Sequence, residues 1–291
     1  MIVYRGLSSD TLEAEYNLTA RRGADDFAAL VERWLERSAR QRERANARVD
    51  MAYGPGERER LDLFSGGDAN GPLLVYIHGG YWQRGDKDMY SFVTESFVRH
   101  GVSVAVLNYT LTPAVCMGEI PPQIRRAIRW LWNHAADLGY SRERLHVMGH
   151  SAGGHLTAMM MATDWPAFDA QLPVDLVKSG IPVSGVFDLE PIVHTTLNTG
   201  PRMTVDEAKA ESPLFMTMAT DAPQLVVDGG GETDEFHRQS DAYVERVSSD
   251  ARPVERYVVP HDDHFDELHR LAEDDSDFFG KSLRLITESA S

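Results

Sequence analysis

The chain of 291 residues holds a single cysteine, Cys116, so no intrachain disulfide can form and a reducing compartment fits. Positive charge is also scarce. Its 29 lysines and arginines face 45 aspartates and glutamates, for a formal net charge of -16. Such a surface repels a phosphate backbone, which argues against a nucleic-acid partner. The locally basic segment RWLERSARQRERANAR is interleaved with glutamates and reads as a solvated helix face. No run approaches the apolar length of a membrane span. The opening MIVYRGLSSDTLEAEYN has acids where a secretory leader needs an apolar stretch. Neither an internal repeat nor a low-complexity linker interrupts the chain. These absences predict a soluble, cytoplasmic protein that does not engage a membrane.

What is present is ordinary globular composition, 42% hydrophobic and 25% charged, over a length that suits one large core. Residues 1 to 55 carry sparse apolar points. In FAALVERWLERSARQRERA, Phe27, Leu30, Val31 and Trp34 recur at helical spacing. This stretch reads as a helical arm or cap without a core of its own. From RERLDLF onward the pattern changes. PLLVYIHGG, VSVAVLNY, RLHVMGH, SGIPVSG, PQLVVDGG and VERYVVP are short, valine-rich runs bounded by glycine, proline or asparagine, and each reads as a strand. Helical patterns alternate with them, notably MYSFVTESFVRHG, PPQIRRAIRWLWNHAADLG and TDEFHRQSDAYVERV. Buried strands alternating with helices predict an α/β fold with a doubly wound, mostly parallel sheet, as one domain over 1–291. The irregular segment 186–222 is expected to cover a pocket.

Within HVMGHSAGGHLTA, the pattern G-x-S-x-G falls on Gly149, Ser151 and Gly153, between a strand and a helix. That setting is what a nucleophile elbow requires. The serine projects from a tight bend, and small neighbours let strand and helix pass closely. A hydroxyl needs a base, and the base needs an orienting carboxylate. The elbow sets the chain order as serine, acid, histidine. After PQLVVDGG the acids Asp228, Glu232, Asp234 and Glu235 are all candidates. Glu232 is favoured because it stands on a turn after three glycines, whereas Asp234 suits a helix cap. In VERYVVPHDDHFDELHRL, His264 follows the last strand by one turn and is the first choice for the base. His261 is second, and His269 reads as an exposed helical residue. HDDH has metal-ligand types but no third strong ligand beside it, so no metal is expected.

An oxyanion hole needs amides aimed at the oxygen that gains charge. The paired glycines of YIHGGYWQRGD directly follow a strand. The N–H groups of Gly80, Tyr81 and Ala152 are assigned as donors, with Gly79 a close rival. Gly79 and Trp82 are expected substrate contacts, although Trp82 suits a core equally well.

Together HGGYWQ, GHSAGGHL, GGGETDEFHRQS and DHFD resemble the α/β-hydrolase superfamily. More narrowly, they resemble its branch of arylformamidase (kynurenine formamidase)-like enzymes and related bacterial carboxylesterases. The early YGPGERERLDLF is similar too, so the resemblance spans nearly the whole chain. It implies an α/β-hydrolase fold with a serine nucleophile, an acid after the sixth core strand and a late histidine, at positions matching Ser151, Glu232 and His264. The branch often has aspartate where this chain has Glu232, which leaves Asp234 and Glu235 open. Its glycine-rich loop supplies oxyanion donors at positions matching Gly80 and Tyr81. The expected activity is hydrolysis of small carboxylic esters, with N-formylkynurenine hydrolysis second and a non-enzymatic binding protein on the same scaffold third. The expected partner is a small-molecule ester or formamide, with no cofactor. Nothing in the sequence supports a homo-oligomer.

Overall fold

The computed structural model describes residues 2–44 and 46–289. Its centre is an eight-stranded sheet of β1 (Ala47–Ala52), β2 (Arg60–Phe64), β3 (Leu73–Ile77), β4 (Ser103–Leu107), β5 (Leu145–His150), β6 (Val177–Val183), β7 (Gln224–Gly229) and β8 (Val254–Val259). Their order in space is β1-β2-β4-β3-β5-β6-β7-β8. Strand β2 runs antiparallel to β1 and β4, and every other pairing is parallel. All residues of β3, β4 and β5 are buried, which explains why they read as unbroken apolar runs: helices cover both faces.

Two strands of this sheet, β1 and β2, are not among the six apolar runs of the sequence. β1 is an edge strand whose ARVDMA side chains are largely exposed, so it offers no apolar pattern to read. β2 sits in RERLDLF, where the pattern changes.

The arm comprises a small ribbon (Ile2–Tyr4 with Leu7–Ser8) and helices α1 (Ser9–Tyr16), α2 (Leu18–Arg22) and α3 (Ala24–Arg42). Its Leu12, Tyr16, Leu30 and Trp34 join the same buried apolar cluster as the sheet strands. Trp34 stacks on Phe92 with centroids 5.7 Å apart. Of the helices that flank the sheet, α4 (Thr94–Arg99) is short. α5 (Ile120–Leu138) opens on prolines and ends at Gly139 in the left-handed region, as its sequence predicts. α6 (Ala152–Met161) follows β5, α7 (Asp234–Val247) follows β7, and α8 (Glu267–Arg270) and α9 (Asp277–Glu288) close the chain. Segment 186–222 holds short helical turns tied back by Thr196 N–H to Glu13 (2.8 Å) and by the Gln83 amide to Leu197 O (2.9 Å).

Parallel register brings the strand ends together. Ile77 pairs with Gly149, so the loop after β3 and the bend after β5 emerge side by side. The turns after β7 and β8 leave from the same end of the sheet.

Candidate active site

Ser151 occupies the bend between β5 and α6 with φ 59° and ψ −118°, a region that side chains rarely adopt. Holding it there costs about 1–3 kcal/mol. Its N–H donates to Val183 O at 2.8 Å, which ties the bend to β6. The flanking glycines are steric necessities. A methyl on Gly149 would overlap Gly153 O, and one on Gly153 would overlap Ile77 O.

A cavity of about 220 Å³ opens onto Ser151 and His264. Gly80 and Tyr81 line it from the loop after β3, together with Arg84, while Leu18, Thr19, Phe27 and Val31 line it from the arm. No residue of 186–222 does so; the arm supplies that wall. A larger hollow of about 580 Å³ lies at the opposite end of the strands, by Val177 and Pro223, and touches none of the expected site residues.

Gly79 packs beneath Ser151. A Cβ there would sit 3.0 Å from Ser151 Cβ. Ala152 is the buried first residue of α6. Trp82 is fully buried and lies outside the cavity lining; its indole N–H donates to His155 Nδ1 at 3.1 Å. The ring of His155 donates in turn to Glu211 O at 2.8 Å, and burial holds its pKa down to about 4. The loop after β3 is strained as well, with φ 50° at Tyr81 and 57° at Trp82. His78 braces it: Nδ1–H donates to Gly79 O at 2.7 Å, and the ring stacks between Tyr90 and Tyr109.

His264 Nδ1 is hydrogen-bonded to Glu232 Oε1, with both side chains buried. Burial, with His150 beside it, pushes the His264 imidazole well below the usual histidine range, so it rests neutral. The rival acids are engaged elsewhere. Asp228 is bound by Arg256, by Ser240 at 2.7 Å and by His237 at 3.3 Å. Asp234 is exposed in the first turn of α7, and Glu235 pairs with Arg238 (2.7 Å) and the Tyr16 hydroxyl (2.9 Å). His261 is exposed. His269, expected on the surface, is half-buried and accepts from Trp34 Nε1 at 3.3 Å.

Three side chains that sequence reasoning did not single out surround the pair: His150, Ser184 and Glu267, all buried. Glu267 looks in sequence like any acid in the first turn of a helix. Among the described residues, His150, His264 and Glu267 form the one group with metal-ligand composition, each offering a ligand atom within 4.8 Å of the others. Within it His150 Nε2 already donates to His264 O at 2.7 Å, and Glu267 Oε1 lies 2.5 Å from Ser184 Oγ. The HDDH pattern does not assemble as a site, because His261 points outward.

The eight-stranded, mostly parallel sheet with a serine at its central elbow defines an α/β-hydrolase, a hydrolytic enzyme of the serine-hydrolase type. More narrowly, the BD-FAE family profile matches residues 61–246, and the chain belongs to that family. It is 30% identical to kynurenine formamidase of Danio rerio over 297 residues, covering 98% of this chain and 99% of the relative. Kynurenine formamidase of Drosophila melanogaster is 28% identical, with 78% and 77% covered. A crystal structure from Silicibacter sp. TM1040, carrying a provisional thioesterase assignment, superposes with a TM-score of 0.79 at 31% identity, over 95% of this chain and 98% of that one. Esterase B of Lactobacillus rhamnosis shares the fold, with a TM-score of 0.69 at 18% identity over 95% and 96%. Among the described residues, no helix is long and apolar enough to cross a membrane.

Proposed function

We propose that the protein hydrolyses small carboxylic esters through an acyl-enzyme formed on Ser151. The observation that carries this reading is one cavity lined jointly by Ser151, His264, Gly80 and Tyr81. His264 has Nδ1 engaged by Glu232, so Nε2 is the nitrogen that takes the Ser151 proton as Oγ attacks the carbonyl carbon. The N–H groups of Gly80, Tyr81 and Ala152 receive the developing oxyanion. His264 then protonates the leaving alcohol or amine as its bond to the acyl carbon breaks. Water repeats the cycle, with His264 as base, and releases the acid and free Ser151. Glu232 holds the imidazole in the tautomer with the proton on Nδ1.

The second reading is hydrolysis of N-formyl-L-kynurenine to L-kynurenine and formate. The end-to-end likeness to kynurenine formamidase favours it. So does Arg84, which lines the apolar cavity without a carboxylate partner among the described residues and would suit the α-carboxylate of an aromatic amino-acid substrate. We also assign the protein to the cytoplasm, since its one cysteine, Cys116, is free and exposed.

Ser151→Ala is expected to abolish turnover and labelling by a fluorophosphonate probe while keeping the fold. A short chromogenic ester and N-formylkynurenine, assayed side by side, separate the two readings. Near-parental ester hydrolysis by the alanine variant would overturn both.

A further inference from the structure

Ser184 follows β6 and joins two buried carboxyl groups. Its Oγ lies 2.9 Å from Glu232 Oε2 and 2.5 Å from Glu267 Oε1. A serine hydroxyl has one proton, so it donates to one carboxyl and must accept from the other. An ionised carboxylate has no proton to give. One of the two acids is therefore protonated.

The surroundings decide which. Glu232 receives the His264 Nδ1–H as well as a contact from Ser184, so a negative charge there meets two donors. Glu267 is worse placed to hold charge. Its Oε2 is buried without a hydrogen-bond partner. His150 Nε2 lies 3.5 Å from Oε1, but its proton goes to the His264 carbonyl at 2.7 Å. The other titratable groups bearing on Glu267 are Glu232 and Asp228 from around β7, Asp262 from the turn after β8, and Tyr76 from β3. No lysine or arginine among the described residues pairs with it. Burial pushes both carboxyls well above the usual range, with the Glu232 charge reinforcing it at Glu267 and Asp228 at Glu232, but Arg256 bears on Glu232 and draws it back. Negative charge settles on the acid that has the donors.

We propose that Glu267 is a protonated positioning residue, donating to Ser184, which donates to Glu232, so that Glu232 is fixed against His264 as the one charged acid of the pair. This rests on the assignment of Ser151, His264 and Glu232 made under Proposed function. In this chain of bonds, Glu267 Oε1–H gives to Ser184 Oγ, Ser184 Oγ–H gives to Glu232 Oε2, and Glu232 Oε1 takes the His264 Nδ1–H. Ionising Glu267 at alkaline pH strips Ser184 of its donor and sets a second negative charge behind the imidazole.

The test is infrared difference spectroscopy on the full chain at neutral pH, paired with kinetics. A protonated-carboxyl C=O stretch is expected, and it disappears in Glu267→Gln. The glutamine amide can donate to Ser184, so Glu267→Gln keeps most of the parental kcat and loses the alkaline fall in kcat/KM. Glu267→Leu removes the donor and lowers kcat by roughly two- to tenfold with KM little changed, the worth of one hydrogen bond between neutral groups. The proposal is overturned if the band survives in Glu267→Gln, if Glu232→Gln removes it instead, or if the glutamine variant is as impaired as the leucine one. Should the leucine variant not fold, the spectrum and the glutamine profile still decide. Full turnover by Ser151→Ala would be a failure of the site assignment, which the infrared band does not depend on.

Discussion

The Tyr81 hydroxyl donates to the main-chain carbonyl of Tyr16 across 2.6 Å, fastening the glycine-rich loop to the N-terminal arm. Tyr81 is held at a positive φ of 50° and lines the cavity, so the arm braces a strained piece of the site. Tyr16 is itself anchored through its own hydroxyl, bonded to Glu235 and to the Gln239 amide.

Tyr81→Phe leaves the buried Tyr16 carbonyl unpaired, which costs about 1–3 kcal/mol. The expected result is a lower Tm together with a raised KM, since loop and arm wall loosen as a unit. Thermal melts and steady-state kinetics check it; parental values of both would show that the tether does not shape the cavity.

Arg22, in α2, forks onto Asp263 at 2.9 and 2.7 Å and reaches Asp266 at 3.0 Å, clasping the turn that carries His264. The carboxylates are 38% and 42% exposed, so solvent screens the pairs and their contribution to stability is roughly 0.2–1 kcal/mol. Arg22→Ala should therefore shift Tm little but lower kcat/KM. Rising sodium chloride should bring the parental rate toward that of the variant, and an unchanged gap across the salt series would refute the clasp.

Gly153→Ala forces a methyl into the Ile77 carbonyl, which is backbone at the sheet centre and has little room to give. Overpacking of this kind costs about 1–3 kcal/mol or more. Loss of soluble yield or a large fall in Tm is expected, along with displaced Ser151. A variant with parental Tm and turnover would contradict the close crossing of β3 and α6.

Five buried histidines, His264 among them, make the fold sensitive to acid. Burial holds His78, His150 and His155 down to about 4 and His146 down to about 3, against 6.5 when unfolded. Between pH 6.5 and 4 the unfolded chain binds more protons at these sites, so stability present above 6.5 is lost as the pH falls. Glu232 and Glu267, shifted upward, oppose this trend but are fewer. Melts in buffers from pH 7 to 4 should show a falling Tm; a flat or rising Tm would contradict neutral burial of these rings.

Much of this molecule is legible in the sequence because the controlling physics is local. Valine-rich runs between glycines become β3 to β8, and G-x-S-x-G becomes the bend at Ser151, since only glycine tolerates the backbone approaching at Gly149 and Gly153. The pattern gave no sign of β1, whose exposed side chains carry no alternation. By sequence Trp82 suits core and site equally, and its packing against His155 places it in the core.

Chain order narrowed the acid to four residues and the base to a few histidines. Which of these side chains meet depends on where each points once β7, β8 and α7 are packed, and Glu232 is the one hydrogen-bonded to His264. The same holds for Glu267, whose neighbour Ser184 lies 83 residues away in sequence, and for the arm, whose Leu18 and Phe27 become a cavity wall only by docking across the sheet end. Backbone sterics and strand periodicity are written within a few neighbouring residues. Burial, charge and contact between distant side chains exist only after the chain has closed on itself, so those were left to the tertiary structure.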